Sequence, residues 1–346
     1  MEQQNVFFFW EGRPTLHKGH FNSISSALVH HPAAKVSIYS NSLDANHVLA
    51  PYPRSRGFVV ELVRYNCTAL SLGYPGADQG LLLQAAIDAV FQSTRVSEDQ
   101  LLNQLPSQAT WNAIGRKVTG HKAFLTLLSE WMRYFLVFRF GGLYLDFDMI
   151  VLRPLLVPAL QNRMGVDYAG DSHSFSCLEG LGKDPFRDRN GRPFTCVCNC
   201  LLLFERQHPL LERTLRLMQP MLMTYVAHRS FDTMRHYTMS TRVLMKAAGG
   251  EVKSISGATT PMVQTFTQVD THILTCQNKS LRKYWYTPFR AAKGRTHAEM
   301  IISHCFVYHA GWRGMDNVTS SLEGTVGQHV TSLMTNLPNN NYKGGP

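Results

Sequence analysis

The sequence predicts an α/β fold built on a single mixed sheet with helical insertions. Three observations carry this. A strand, a helix and a second strand occupy the first 40 residues. A long apolar helix is cut by a Gly-Gly pair and followed at once by an apolar strand. Later, a fourth strand again runs straight into a helix. Strands alternating with helices in this way form βαβ units. In order, Val6–Trp10 is a short apolar strand closed by Glu-Gly-Arg-Pro, a helix follows near Phe21–His30, and Lys35–Tyr39 is the second strand. Gly80–Gln92 reads as a helix preceded by Pro75-Gly76, and Ser97–Thr110 is polar and irregular. His121–Arg139 is a helix stopped by Gly141-Gly142, as glycine after a helix commonly does. The stretch Leu143–Leu152 reads as one strand ended by Pro154. Gly170–Pro193 reads as a long loop, Cys196–Glu205 as a strand, His208–Val226 as a helix and Ile301–His309 as a late strand. Residues 1–335 form one domain without a linker, and the Asn-, Gly- and Pro-rich tail from 336 to 346 is expected to be disordered.

The 346 residues, 44% of them hydrophobic, are enough for a large core. The net charge of +10 suits anionic partners such as phosphorylated substrates or lipid headgroups. It is equally compatible with ordinary surface chemistry. There is no run of five or more Lys or Arg, which argues against a nucleic-acid arm. Seven cysteines include Cys196, Cys198 and Cys200, alternating along one predicted strand. That spacing differs from the paired CxxC of a zinc site and suits packed or singly bridged thiols. Sequons stand at Asn66, Asn278 and Asn317. No run of 18 apolar residues is present, and the N-terminal apolar run of five is too short for a signal peptide or a transmembrane segment.

The most informative stretch is Gly141-Gly-Leu-Tyr144-Leu-Asp146-Phe-Asp148. Two carboxylates sit in an otherwise apolar strand, where an unpaired charge costs several kcal/mol or is simply protonated. In an extended strand residues i and i+2 face one way, so Asp146 and Asp148 are expected to form a same-side pair. Such a pair offers hard oxygen ligands to Mn²⁺ or Mg²⁺, and a cation held there can neutralise a diphosphate. The alternative is an exposed edge strand with solvated acids. The preceding helix is apolar almost all round, with Thr126, Ser129, Glu130 and Arg133 making one polar stripe. The stripe is either the solvent side of the helix or, with the two acids, part of a cleft.

These residues resemble glycosyltransferase family 32, the DXD-motif sugar transferases that include α1,4-galactosyl- and α1,4-N-acetylglucosaminyltransferases and initiating mannosyltransferases. The glucosylating clostridial toxins share a related motif. The likeness rests on Ser129-Glu130-x-x-Arg133 followed by the Gly-Gly-x-Tyr-x-Asp-x-Asp signature. It extends to Phe8-Phe9-Trp10, Tyr39-Ser40-Asn41, Cys198-Asn199-Cys200 and Val307-Tyr308-His309-Ala310-Gly311-Trp312, over roughly residues 6–315. Three features depart from the pattern. Glu130 stands where Asp is usual, His236-Tyr237 precede Ser240-Thr241-Arg242 in place of Gly-Pro, and the stretch between Gly170 and Pro193 is longer than expected.

The resemblance implies a GT-A type fold with a Rossmann-like mixed sheet, and a retaining, Mn²⁺- or Mg²⁺-dependent hexosyltransferase. A UDP-sugar is the favoured donor, and the acceptor is a glycan, glycolipid or protein. Asp148 is the implied direct metal ligand, Asp146 binds metal or the donor, and His309 completes the metal site. Asn199 is expected near the anomeric carbon. Trp10 is expected to stack on the base, Asn41 to line the nucleotide, Ser129, Glu130 and Arg133 to hold the donor sugar, Tyr144 to reach a phosphate or merely pack, and Trp312 to cover the diphosphate or acceptor. A GDP-mannose-dependent mannosyltransferase is the near alternative. A non-catalytic sugar-nucleotide or glycan-binding module is the alternative from another class. The family places the chain in a Golgi lumen if an N-terminal anchor has been lost, and otherwise as a soluble protein.

Overall fold

The structure, a computed structural model, describes residues 4–74, 77–93, 119–156, 163–168, 186–187, 193–228, 243–244, 247, 299, 307–309 and 326–335. The chain opens with β1 (Asn5–Phe9), α1 (Lys18–His30), β2 (Lys35–Tyr39), α2 (Ala45–Leu49), β3 (Val59–Val63) and α3 (Cys67–Ser71). Next come α4 (Ala77–Ser93), α5 (Thr119–Phe140), β4 (Gly142–Leu145), β5 (Met149–Val151), β6 (Arg163–Tyr168), β7 (Phe186–Arg187) and β8 (Pro193–Phe204). Helix α6 (Pro209–His228), β9 (Val307–His309) and α7 (Val326–Thr335) complete the described elements.

The α/β class is as the sequence predicts. The main sheet has seven strands in the order β3-β2-β1-β4-β8-β6, with β7 against β8. Strands β3, β2, β1 and β4 run parallel, while β8 pairs antiparallel with β4 and with β6. A separate ribbon of β5 and β9 stands beside this sheet. Side-chain alternation along the strands sorts the core into two layers. Phe7, Phe9, Tyr144, Leu202 and Phe204 pack against α4, α5 and α6, and Val6, Phe8, Leu143, Leu145, Leu201 and Leu203 pack against α1. Each fully buried Phe or Leu contributes about 1.5–3 kcal/mol relative to an exposed one. Ile24, Ala27 and Leu28, at helical spacing, are the face that α1 gives to this second layer.

Between Leu127 and Phe138 helix α5 is buried on nearly every side. Trp131, Met132, Tyr134, Phe135, Leu136 and Val137 are fully buried. The Trp131 indole N–H donates to Gln79 Oε1 at 2.9 Å, and Gln79 Nε2 donates to Leu215 O at 2.5 Å, so one buried amide joins α4, α5 and α6. The helix ends where Gly141 turns left-handed, at φ 67, with its N–H on Val137 O at 2.8 Å. Gly142 follows at φ 117, and a Cβ there would stand 2.5 Å from the carbonyl oxygen of Asn5 in β1.

Several expectations are corrected. The predicted single strand Leu143–Leu152 is two strands, β4 and β5, separated by a turn that holds both acids. The turn is closed by Met149 N donating to Asp146 O at 3.2 Å, so the same-side geometry of an extended strand does not apply. The loop predicted over Gly170–Pro193 contains strand β7, and its residues 170–185 and 188–192 lie outside the described residues. Strand β8 begins at Pro193, three residues before the predicted Cys196, and α1 begins three residues before the predicted Phe21. Strands β3 and β6 and helix α7 carried no sequence prediction. The described part of the predicted late strand is β9, which belongs to the ribbon and leaves the main sheet alone. Ser97–Thr110, His236–Arg242 and the tail from 336 to 346 lie outside the described residues, as do Asn278 and Asn317. Asn66 is the N-cap of α3, its side chain accepting from Ala69 N at 2.9 Å.

Candidate active site

Strands β1, β2 and β3 succeed one another in one direction across the sheet, and β4 lies on the other side of β1. In an open parallel sheet that reversal opens a crevice at the carboxyl ends of the two strands concerned, where ligands bind. Here those ends are Trp10-Glu11-Gly12 after β1 and Asp146-Phe147-Asp148 after β4. Topology therefore puts the acid pair at the place where a nucleotide is most readily held.

Phe147 anchors the acid turn. Its ring lies 4.9 Å from Phe8 and 5.7 Å from Trp10, within the α1-side layer, so the residue between the acids is core. Asp146 is held from the opposite side. Arg133 Nη1 donates to Asp146 Oδ2 and Nη2 lies on Oδ1, each at 3.2 Å. Tyr144 donates its hydroxyl to Asp146 Oδ1 at 2.9 Å, and the Asp146 N–H donates to Cys200 O at 2.9 Å. The guanidinium reaches further: Nη1 donates to Asn199 O at 2.9 Å, Nη2 to Ser129 Oγ at 3.2 Å, and Cζ stands 5.2 Å from the Tyr144 ring. A planar fork is the group that can meet this many fixed acceptors at once.

The electrostatics follow. Burial pushes the Asp146 carboxyl well above the usual carboxylate range; the Arg133 fork and the Tyr144 hydroxyl pull it back, and Cys200 and Asp148 add to the rise. Burial also works against the Arg133 charge, but Asp146 beside it, with Tyr144, Cys200 and Glu130, more than restores it, so the guanidinium stays protonated. Burial, reinforced by Asp146, raises the Tyr144 hydroxyl well above its ordinary value, which keeps it a donor. Asp146 keeps 24% of its side chain exposed, whereas Asp148 is buried, with 6% exposed.

Ser129 and Arg133 of the α5 stripe reach this site, with Glu130 close enough to act on the Arg133 charge. Glu130 and Arg133 are both 7% exposed, which removes the solvent-side reading of the stripe. Asn199 is buried on β8 and donates Nδ2 to the Tyr134 hydroxyl at 3.2 Å. His309 enters through the ribbon, where its backbone pairs with Met149, the residue after Asp148. Asp146, Tyr144, Ser129, Arg133 and Asn199 thus share one hydrogen-bonded cluster, with Asp148 and Glu130 on the same elements. Trp312 lies outside the described residues, as does the side chain of His309.

Trp10 and Asn41 are placed differently. The Trp10 ring sits 4.6 Å from His20 and edge-on to Phe147, its indole N–H donates to Arg13 O at 3.0 Å, and it is 9% exposed. The Asn41 amide is engaged at both ends by the backbone of Tyr65: Nδ2 donates to Tyr65 O and Oδ1 accepts from Tyr65 N, each at 3.0 Å. That amide ties the ends of β2 and β3 together. Sequence reasoning did not find Glu11, whose carboxylate accepts from Asn41 N, nor Tyr134, nor Ser23 of α1, which touches the acid turn. None belongs to a motif, and a buried hydroxyl in an apolar helix gives no signal along the chain.

The donor set suits a divalent cation only in part. Asp146 and Asp148 are hard oxygen ligands on one short turn, and a cation of this kind keeps several sites for phosphate and water. Among the described residues no group of three or more His, Cys, Asp or Glu side chains forms a complete metal cage.

Residues 18–169, from α1 through the acid turn to β6, match the family described as glycosyltransferase sugar-binding region containing DXD motif. In that region the chain is similar to glycosyltransferases that carry a DXD motif. The matched stretch contains the Gly-Gly-x-Tyr-x-Asp-x-Asp signature that ends in the acid turn. A search of curated proteins found no match. Among solved structures, galactosyltransferase LgtC with donor and acceptor sugar analogues is 10% identical, covering 97% of this chain and 98% of its own, with a TM-score of 0.46. The PaToxG glycosyltransferase is 15% identical over 72% of this chain and 70% of its own, with a TM-score of 0.37. The apo-form glycosyltransferase GlyE of Streptococcus pneumoniae TIGR4 is 9% identical over 97% of this chain and 61% of its own, with a TM-score of 0.40. Among the described residues no helix is long and apolar enough to cross a membrane.

Proposed function

We propose that the chain transfers a hexose from a nucleotide-diphosphate sugar to a glycan, glycolipid or protein acceptor, with retention at the anomeric carbon. The observation that carries this reading is the acid turn at the β1/β4 crevice, with Asp146 gripped by Arg133 and Asp148 buried beside it. Asp148 and Asp146, with His309, would hold Mn²⁺ or Mg²⁺. Bound there, the cation supplies the positive charge that stabilises a diphosphate leaving group.

The chain's own residues do the rest. Both Asp146 oxygens are already engaged by Arg133, one of them also by Tyr144, which supports Asp148 as the direct metal ligand and Asp146 as a fixed support facing the donor. Glu130 and Ser129, consecutive on α5 and both beside Arg133, would hold the hydroxyls of the donor sugar. Asn199 presents its side chain near the reacting carbon, steadied by Tyr134 and by the Arg133 bond to its carbonyl. Trp10 and Asn41 brace the ends of β1 and β2 beside the crevice, and Trp312 would cover the diphosphate or acceptor.

UDP is the first donor reading, and GDP the second. What favours keeping GDP is the Trp10 indole, which packs into the core on His20 and Phe147, so the stacking that pointed to uracil has a structural use instead. The test is nucleotide release from a panel of UDP- and GDP-sugars, with Mn²⁺ or with EDTA. Mn²⁺-dependent release from one donor establishes the reading and names the sugar. No release from any donor, together with no thermal shift by UDP or GDP plus Mn²⁺, overturns it in favour of a binding module for glycans.

A further inference from the structure

Helix α1 carries two serines, Ser23 and Ser26, that are fully buried although they sit on an apolar face. Both spend their hydroxyls on the segment that follows β4. Ser23 Oγ lies 2.5 Å from Met149 O and 3.3 Å from Asp146 O, the carbonyls at the two ends of the acid turn. Ser26 Oγ accepts from Val151 N at 3.0 Å and donates to Ser23 O at 2.9 Å. Farther along, His31 Nε2 accepts from Leu155 N at 3.2 Å. Asp146 N on Cys200 O ties the start of the turn to the main sheet. Buried backbone carbonyls need hydrogen-bond donors, and α1 supplies one to the carbonyls at the two ends of the turn.

We infer that Ser23 is a positioning residue that fixes the shape of the Asp146–Met149 turn, and through it the aim of Asp148 at metal and diphosphate. One hydroxyl hydrogen shared between the first and last carbonyls of a four-residue turn sets the distance between its ends. Ser26 supports the same segment two residues beyond the turn. It is matched to Ser23 in burial, but it accepts from the segment where Ser23 donates, and it does not bridge the turn. The inference rests on the reading of this turn as the metal-binding site.

The test compares Ser23→Ala with Ser26→Ala by three readouts: melting temperature, Mn²⁺ dissociation constant, and amide hydrogen exchange of the turn. Both variants are expected to lose similar stability. Ser23→Ala alone should weaken Mn²⁺ binding roughly tenfold, the usual scale for removing a partner that orients a metal ligand, and should speed exchange at Asp148 and Met149. In turnover it should lower kcat more than it raises the donor KM. Ser23→Cys, a near-isosteric weaker donor, should fall between wild type and Ser23→Ala, and it carries the test if the alanine variant does not fold. Equal effects of Ser23→Ala and Ser26→Ala on metal affinity and turn exchange overturn the inference, as do wild-type values in Ser23→Ala. A wild-type protein that binds no Mn²⁺ sinks the metal-site reading, while the exchange arm still decides whether Ser23 fixes the turn.

Discussion

Arg133 and Asp146 meet as a fork, guanidinium Nη1 on Oδ2 and Nη2 on Oδ1, each at 3.2 Å. The pair joins the last polar turn of α5 to the end of β4. It also explains why an acid survives at the close of an apolar strand: a buried guanidinium meets both of its oxygens.

Arg133→Lys is expected to lower kcat/KM for the donor by at least about 100-fold, because a single ammonium cannot hold both carboxylate oxygens and the Asn199 carbonyl, and small misplacements near reacting groups cost that much. Arg133→Ala should also destabilise the fold by about 3 kcal/mol, the low end for stranding a buried partner, since Asp146 keeps some exposure. Steady-state kinetics and thermal melts of the two variants check this. Near-normal turnover in Arg133→Lys would show that charge alone suffices.

Asp148→Asn should abolish transfer and remove the thermal shift produced by Mn²⁺. Its melting temperature without metal should stay level or rise, because an amide is easier to bury than a carboxylate. Unchanged turnover would remove Asp148 from the metal site.

Trp10 separates core from nucleotide contact. Trp10→Ala opens a cavity and should cost about 3–5 kcal/mol of stability. Trp10→Phe keeps most of the packing on Phe147 and His20 and loses the N–H bond to Arg13 O. If Trp10 also touches the base, donor KM rises several-fold in Trp10→Phe while kcat holds; an unchanged KM would leave Trp10 purely structural.

His31 predicts an acid-sensitive fold. Burial, with the neighbouring His30, lowers its value from 6.5 to about 4. A group depressed in the fold gives stability that is present above its unfolded value and is lost as pH falls toward its folded value. The loss should therefore run between roughly pH 6.5 and about 4 and reach about 3 kcal/mol. His31→Gln, which keeps an acceptor for Leu155 N, should flatten this part of the urea-unfolding profile against pH. An identical profile in the variant would assign the acid loss to other groups.

Much of this was legible along the chain for physical reasons. The length and apolarity of α5, the Gly-Gly stop and the alternation of β1 and β2 are local properties, and each element lies within a few residues of its predicted place. Glu130 and Arg133 were legible because polar residues at helical spacing on an otherwise apolar helix must face something. The acid turn was not. Leu143–Leu152 is apolar enough for one strand, and only the bond from Met149 N to Asp146 O breaks it. Ser23 and Asn41 were illegible in another way: their bonds reach residues 126 and 24 positions away, a pairing that no pattern along the chain reveals.

Gly142 has a use that its distance from the acids conceals. It precedes Asp146 by four residues, about 13 Å along a strand. The carbonyl of Asn5 occupies the space that a Cβ would fill. Any side chain at this position would push β4 away from β1, and these two strands are the walls of the crevice. The aperture at the carboxyl end is thus gauged by a missing methyl at the amino end, and the signature running from Gly141 to Asp148 works as a calliper, hinge at one tip and jaws at the other.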